Sequence, residues 1–222
     1  MRAMAEAPAS PTNRGGAAVA VLVIAAAVLA IGCSDKGSKP RVPPVEPEYL
    51  PATSPHNVVL NLKKSWQELN YDAYASTLSD EFVYVFAQQD IGGPDYNPPT
   101  WGRADDLLSA FHLFSKADAN SEGYVAESVS LSFNTDPEIP NDMGGWTKIT
   151  LTDVFLTVVT YHRTTGDPLY YEVVGDRADL WFAQAGGTWK VVRWEDRPLQ
   201  HGPATQPSTW GQIKGMFKQS IP

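Results

Sequence analysis

Apolar positions recur at helical spacing between His56 and Asn70. Val59, Leu62, Trp66 and Leu69 fall on one stripe, which predicts an amphipathic helix. Ser54 is placed to cap it, and Pro55 suits its first turn. Tyr71, Tyr74, Ala75 and Leu78 predict a second, short helix begun near Asn70 and broken at Ser79-Asp80. Phe82 to Ala87 is aromatic and β-branched and reads as a strand. Ile91 to Arg103 is rich in proline and glycine and reads as a loop. Ala104 to Lys116 predicts a third helix with Leu107, Leu108, Phe111 and Phe114 on one face. Strict alternation follows at Val125, Glu127, Val129, Leu131 and Phe133, the mark of a half-buried strand. In the next strand Ile149 and Leu151 keep odd phase, but Val154, Leu156 and Val158 keep even phase. Such a slip predicts a β-bulge near Asp153. Leu169, Tyr171 and Val173 slip likewise to Ala178, Leu180 and Phe182, with Gly175 as the bend. Gly186-Gly187 reads as a hairpin turn into a last strand, Trp189 to Asp196. The order is α-α-β-α-β-β-β-β, an α+β domain.

The ends of the 222-residue chain read differently. No aromatic residue precedes Tyr49, so the packed core lies after that point. Residues 17–31 form an uninterrupted apolar run, shorter than the ~20 residues a spanning helix needs. Arg2 and Arg14 precede it and Gly32-Cys33 ends it, the layout of a secretion signal. Leu29-Ala30-Ile31-Gly32-Cys33 resembles the lipobox of bacterial lipoproteins. That resemblance implies cleavage after residue 32, lipidation of Cys33, and a domain held outside the cytoplasm at the cell envelope. The remaining alternative is a plain transmembrane anchor. Residues 33–55 carry Pro40, Pro43, Pro44, Pro47, Pro51 and Pro55 and predict an extended, unpaired tether. The folded domain is then 56–198, and 199–222 is a loop followed by a short amphipathic helix, Ser208 to Lys218. Trp210, Ile213 and Phe217 share one side of it. This helix could cover its own domain, a second copy or a membrane surface, since so short a helix does not stand alone in water.

Composition narrows the partners. The net charge is −8 with a single cysteine. An acidic chain without a basic stripe has no attraction for phosphate, which argues against nucleic acid. One cysteine excludes an internal disulfide or a cysteine zinc cluster. His56, His112, His162 and His201 lack metal-ligand spacing, and no nucleotide-binding glycine motif is present. No cofactor is expected. The acidic loop around Asp136, Glu138, Asn141 and Asp142 reads as turn chemistry.

Four segments carry a family resemblance: Ser65-Trp66-Gln67-Glu68-Leu69-Asn70, Leu78-Ser79-Asp80-Glu81-Phe82, Trp101-Gly102-Arg103, and Trp189 to Asp196. In order and spacing, from about Pro55 to Pro198, they resemble the NTF2-like superfamily, which includes SnoaL-like cyclases and ketosteroid isomerases. The resemblance implies a cone: a strongly curved antiparallel sheet packed against three N-terminal-side helices, with an interior pocket. It implies nothing firm about activity. The isomerases use a tyrosine on the first helix and an aspartate on the first strand. The matching positions here hold Ser65 and Phe86, which cannot do that work. Trp66, Tyr84, Trp101 and His112 are the expected pocket lining, and no catalytic residue is assigned. Asp153 reads as a solvent-facing bulge residue, Asp176 and Arg177 as a surface pair, and Arg193 and Asp196 as salt-bridge partners of neighbours. The expected function is a non-catalytic, lipid-anchored protein binding a small apolar ligand or a protein partner. The alternatives are a cofactor-free isomerase, dehydratase or cyclase, and a dimerising scaffold.

Overall fold

The structure, a computed structural model, describes residues 48–90, 99–197, 209–218 and 220–221. Contacts divide the chain into Met1–Val45 and Glu46–Pro222, and the described residues all belong to the second unit. The signal segment 1–32, Cys33 and most of the tether lie outside the described residues.

The two front helices form as their caps dictate. Helix α1 (Pro55–Gln67) begins where the Ser54 hydroxyl accepts from the Asn57 N–H at 3.2 Å, with proline in the first turn. It buries Val58, Val59, Leu62 and Trp66. Leu69 takes φ +52 just beyond it. Helix α2 (Tyr71–Thr77) is capped by Asn70, which accepts from the Ala73 N–H at 3.0 Å. The tether, expected to run unpaired to Pro55, is held from Tyr49 onward. The Asn61 amide bonds both the N–H and the carbonyl of Leu50 (2.8 and 2.7 Å), and Trp189 N–H donates to the Ala52 carbonyl at 2.8 Å. One asparagine thus gives an irregular segment the pairing a strand would supply.

Strand β1 (Leu78–Val85) starts earlier than its apolar core suggested. A short β2 (Thr100–Gly102) leads into α3 (Arg103–Phe114), and β3 (Ala119–Asn120) follows. A meander of β4 (Tyr124–Thr135), β5 (Thr147–His162), β6 (Pro168–Ala185) and β7 (Thr188–Arg197) completes the sheet. Helix α4 (Trp210–Lys218) and β8 (Ser220–Ile221) close the described chain. The six-stranded order is β2-β1-β7-β6-β5-β4, and β3 pairs with β8. The sheet is mixed rather than wholly antiparallel: β1 runs parallel to β7. The two are joined through α3 and the whole meander rather than by a hairpin, so nothing forces them to oppose.

The bends fall where the phase slips predicted. Register shifts between Leu151 and Val154, with Asp153 at φ +50 and exposed. Gly175 at φ +69 lies in β6 opposite this irregularity. A further shift between Ala126 and Ser128 leaves Glu127 exposed, which explains its place in an otherwise apolar series. These bulges curl the sheet around a core of α1, α2, α3 and α4 side chains. The α3 stripe is rotated from expectation. Leu107, Ala110, Leu113 and Phe114 are buried, whereas Leu108 and Phe111 are exposed, because α3 packs against both β1 and α4.

Backbone strain at the β5 bulge gives a direct test. A β-branched residue tolerates φ +50 poorly, so Asp153→Val should cost about 1–3 kcal/mol of stability in urea titration. Asp153→Gly should cost less, although it loses the 3.0 Å bond accepted from the Asn134 side-chain amide.

Candidate functional site

The concave face of the sheet is filled from the C-terminal side. Helix α4 begins with a reciprocal capping box: Thr209 Oγ1 accepts from Gln212 N–H at 3.0 Å, and Gln212 Oε1 accepts from Thr209 N–H at 3.1 Å. Two buried carboxylates sit at this helix start. Asp90 accepts from Thr209 Oγ1 (2.6 Å) and from the Gln212 amide (2.9 Å), and Asp196 accepts from Gly211 N–H (2.8 Å). Both match the positive end of the helix. Helical spacing then puts Trp210, Ile213, Lys214 and Phe217 on one face, and each is at most 3% exposed. Trp210 packs edge-on against Trp66 and Trp194 with ring centroids at 5.1 and 4.4 Å.

Lys214 brings a charge into this interior. Its ammonium is ion-paired with Asp106 Oδ1 at 2.5 Å and donates to the Tyr74 hydroxyl at 3.0 Å. The Tyr74 hydroxyl donates in turn to Asp106 Oδ2 at 2.6 Å. Aromatic rings surround the nitrogen: Tyr84 at 4.2 Å, Trp194 at 4.5 Å, Tyr74 at 5.6 Å and Trp66 at 5.9 Å from their centroids. A cation at these distances is attracted by the ring faces. Asp196 completes the chamber, accepting from the Tyr84 hydroxyl and, at 2.9 Å, from Trp194 Nε1.

Burial dominates the protonation of these groups. It lowers the Lys214 ammonium from its ordinary value, while Asp106 and Asp196 oppose the change. It raises Tyr74 and Tyr84 well above the usual tyrosine range, reinforced by Asp106 and Asp196 respectively. It lifts Asp90, and it pushes Asp196 up to about 7 against the hydrogen bonds from Tyr84, Gly211 and Trp194 and the nearby Lys214 charge. A carboxylic acid of that strength beside a tyrosine hydroxyl has the makings of a proton-transfer pair. The α4 residues pack directly on this pair: Gly211 N–H donates to Asp196, and the Lys214 ammonium lies over the Tyr84 ring.

The expected lining residues divide. Trp66, Tyr84 and Trp101 are each at most 1% exposed and lie in the interior. Trp101 packs against Phe86 and lies 4.6 Å from the Lys218 ammonium. His112 lies apart from them, half-buried, with Nδ1 3.4 Å from Asp118. Ser65 is buried and donates to the Leu62 carbonyl at 2.8 Å. Asp176 is buried rather than part of a surface pair, and Arg177 instead reaches Asp136 at 3.5 Å. Arg193 pairs with Glu195 at 3.2 Å. Asp196, expected beside it on the polar face, points inward, because a register shift near Val191 turns Trp194 and Asp196 to the core side.

Nothing in the sequence marks Lys214, Asp106, Asp196, Tyr74 and Asp90 as a group. The signals were local. Lys214 falls on the stripe of Trp210, Ile213 and Phe217, and Asp196 follows Trp194 by two. An open groove of about 290 Å³ lies elsewhere, where Ser79 and Glu81 meet Ala183, Ala185 and Val192. Among the described residues no group of three histidine, cysteine, aspartate or glutamate side chains could hold a metal ion.

No protein-family model matches the chain, and no curated protein does. Several solved structures are similar in chain path. A ketosteroid isomerase-like protein from Erwinia carotovora atroseptica is 10% identical at TM-score 0.42, covering 66% of this chain and 94% of its own. An NTF2-like protein from Cytophaga hutchinsonii is 12% identical at TM-score 0.38, covering 66% and 99%. A conserved protein from Planctomyces limnophilus is 14% identical at TM-score 0.42, covering 65% and 94%. With TM-scores below 0.5, these likenesses carry no argument about activity.

The buried pair and Asp196 each give a measurable expectation. Asp106→Ala strands the Lys214 charge and should cost about 3–5 kcal/mol in urea denaturation, whereas Asp106→Leu combined with Lys214→Met should recover most of it. For Asp196, the folded acid titrates near 7 and the unfolded one near about 4. Between those values the folded state binds the proton more tightly, so this group's contribution to stability falls as pH rises through the window and is level above it. Stability measured against pH should therefore show wild type losing ground to Asp196→Asn from about pH 4 to 7 and no further change above.

Proposed function

We propose that this protein is a lipid-anchored cell-envelope protein whose curved domain is a non-catalytic binding module. The observation that carries the non-catalytic part is the filling of the interior by α4. Trp210, Ile213, Lys214 and Phe217 stand where an enzyme of this shape would place its substrate. The anchoring part rests on the lipobox-like junction at Cys33 and the proline-rich stretch that follows it. A thioether-linked and acylated cysteine would hold the domain at the membrane surface through buried methylenes, with two or more chains needed for firm attachment. Among the described residues no helix is long and apolar enough to cross a membrane.

Mass spectrometry of the mature N-terminus tests the anchor. The expected result is a chain beginning at an acylated Cys33, with Cys33→Ala abolishing both cleavage and acylation. An unmodified, uncleaved wild-type chain overturns it. Amide hydrogen exchange tests the filled interior: α4 should be clearly protected, though less than β6 and β7. An α4 that exchanges freely would return the interior to the rival reading, a cofactor-free enzyme using Asp196 and Tyr84.

A second reading, a dimerising scaffold, is favoured by the outer face of β5 and β6. Phe155 and Val174 are cross-strand neighbours at 47% and 44% exposure, and Tyr170 and Tyr161 lie further along at 59% and 36%. On this reading sedimentation velocity finds a dimer that Tyr170→Glu converts to monomer. A wild-type monomer at all concentrations removes it.

A further inference from the structure

From the cage around the Lys214 ammonium we infer that the interior is a binding site for a small organic ammonium ion, with α4 supplying a tethered version of that ligand. The inference rests on the reading that α4 fills the interior, and it changes the expected ligand class from apolar to cationic.

Trp210, Ile213 and Phe217 already supply an apolar face, and an apolar side chain at position 214 would pack there without desolvating a charge. Burying an ion pair is weak as a source of stability. The chamber is nevertheless built around a cation. It offers one carboxylate partner in Asp106 and one hydroxyl in Tyr74, and the faces of Tyr84 and Trp194 approach the nitrogen most closely. The walls come from α1, α2, β1, α3 and β7, and only the cation itself comes from α4. The groups that recognise charge would thus remain when α4 leaves.

The attachment of α4 is specific at both ends. Asp90 and Asp196 hold its start, Ser109 Oγ donates to the Lys214 carbonyl at 2.6 Å, and Lys218 pairs with Asp105 at 3.2 Å. A helix of nine residues has little stability of its own. Its release is therefore a local unfolding event that a competing cation can draw on. The ligand class is a primary or alkylated ammonium on a short carbon stem, since that is what Lys214 itself presents.

The test uses the full chain and n-propylammonium chloride, which replaces what Lys214→Ala removes, with 1-propanol as the neutral counterpart and sodium chloride as the salt control. Propylammonium should raise the melting temperature of Lys214→Ala in a saturable way, with an apparent affinity at least about tenfold better than that of propanol. The wild type, already occupied, should shift far less. If Lys214→Ala fails to fold, the wild type alone carries the test. Propylammonium at high concentration should then speed hydrogen exchange of α4 without affecting β5 and β6. Equal effects of propylammonium and propanol, or unchanged α4 exchange in the wild type, overturn the inference. Acylation of Lys214 in the free wild type separates the two failures: an unreactive Lys214 leaves the filled interior standing and removes only the ammonium site, whereas a reactive one removes both.

Discussion

The contact on which the rest of the interior depends is the ion pair between Lys214 and Asp106. An ammonium can be buried at this depth only with a carboxylate beside it and donors and acceptors in order around both. Tyr74 bridges the pair, and its own hydroxyl is fixed by Asp106. Everything that touches this triad is constrained with it. Helix α4 is held in one rotation, α2 is held against α3, and the rings of Tyr84 and Trp194 are held face-on to a charge. The apolar neighbours could pack in several ways, but the charge accepts one arrangement, because a shifted α4 would leave the buried Asp106 carboxylate with the Tyr74 hydroxyl but no cation.

Curvature makes room for that arrangement. A flat sheet would offer no hollow for α4 to enter. The bulges at Asp153 and Ala126–Ser128, with Gly175 opposite the first, bend long strands that would otherwise run straight. The parallel pairing of β1 with β7 brings Tyr84 and Trp194 side by side on the inner face. The site is thus assembled from six elements: α1, α2, β1, α3, β7 and α4. Gly211 shows how close the fit is at the helix start. A Cβ there would lie 2.7 Å from the Phe86 ring and 3.2 Å from the Asp90 carboxylate.

The α+β order, the capped first helices and the bulges were legible because each leaves a local mark: a spacing, a cap, a slip of phase. The interior chemistry was not. Lys214 and Asp106 each look like solvated residues of an amphipathic helix, and they become partners only when α3 and α4 meet, 108 positions apart in the chain. Asp196 shares its phase with Trp194, so its direction was readable, but an aspartate next to Glu195 and Arg197 at a strand end looks like a surface residue until Gly211 and Tyr84 are brought to it. The α3 stripe was misjudged because its inner side is set by α4, an element that propensity alone would not bring there. Trp66 and Tyr84, expected as pocket lining, are both buried, as large rings on the inner side of a helix and a strand are.

The crossed indoles of Trp66, Trp194 and Trp210 have an optical consequence. Rings fixed edge-to-face at about 5 Å couple their electronic transitions, and such coupling gives near-ultraviolet circular dichroism only while the packing is rigid. Trp210 sits on α4 and the other two on α1 and β7. The protein therefore carries an intrinsic chromophore set whose ellipticity reads the seating of its last helix, with no label attached.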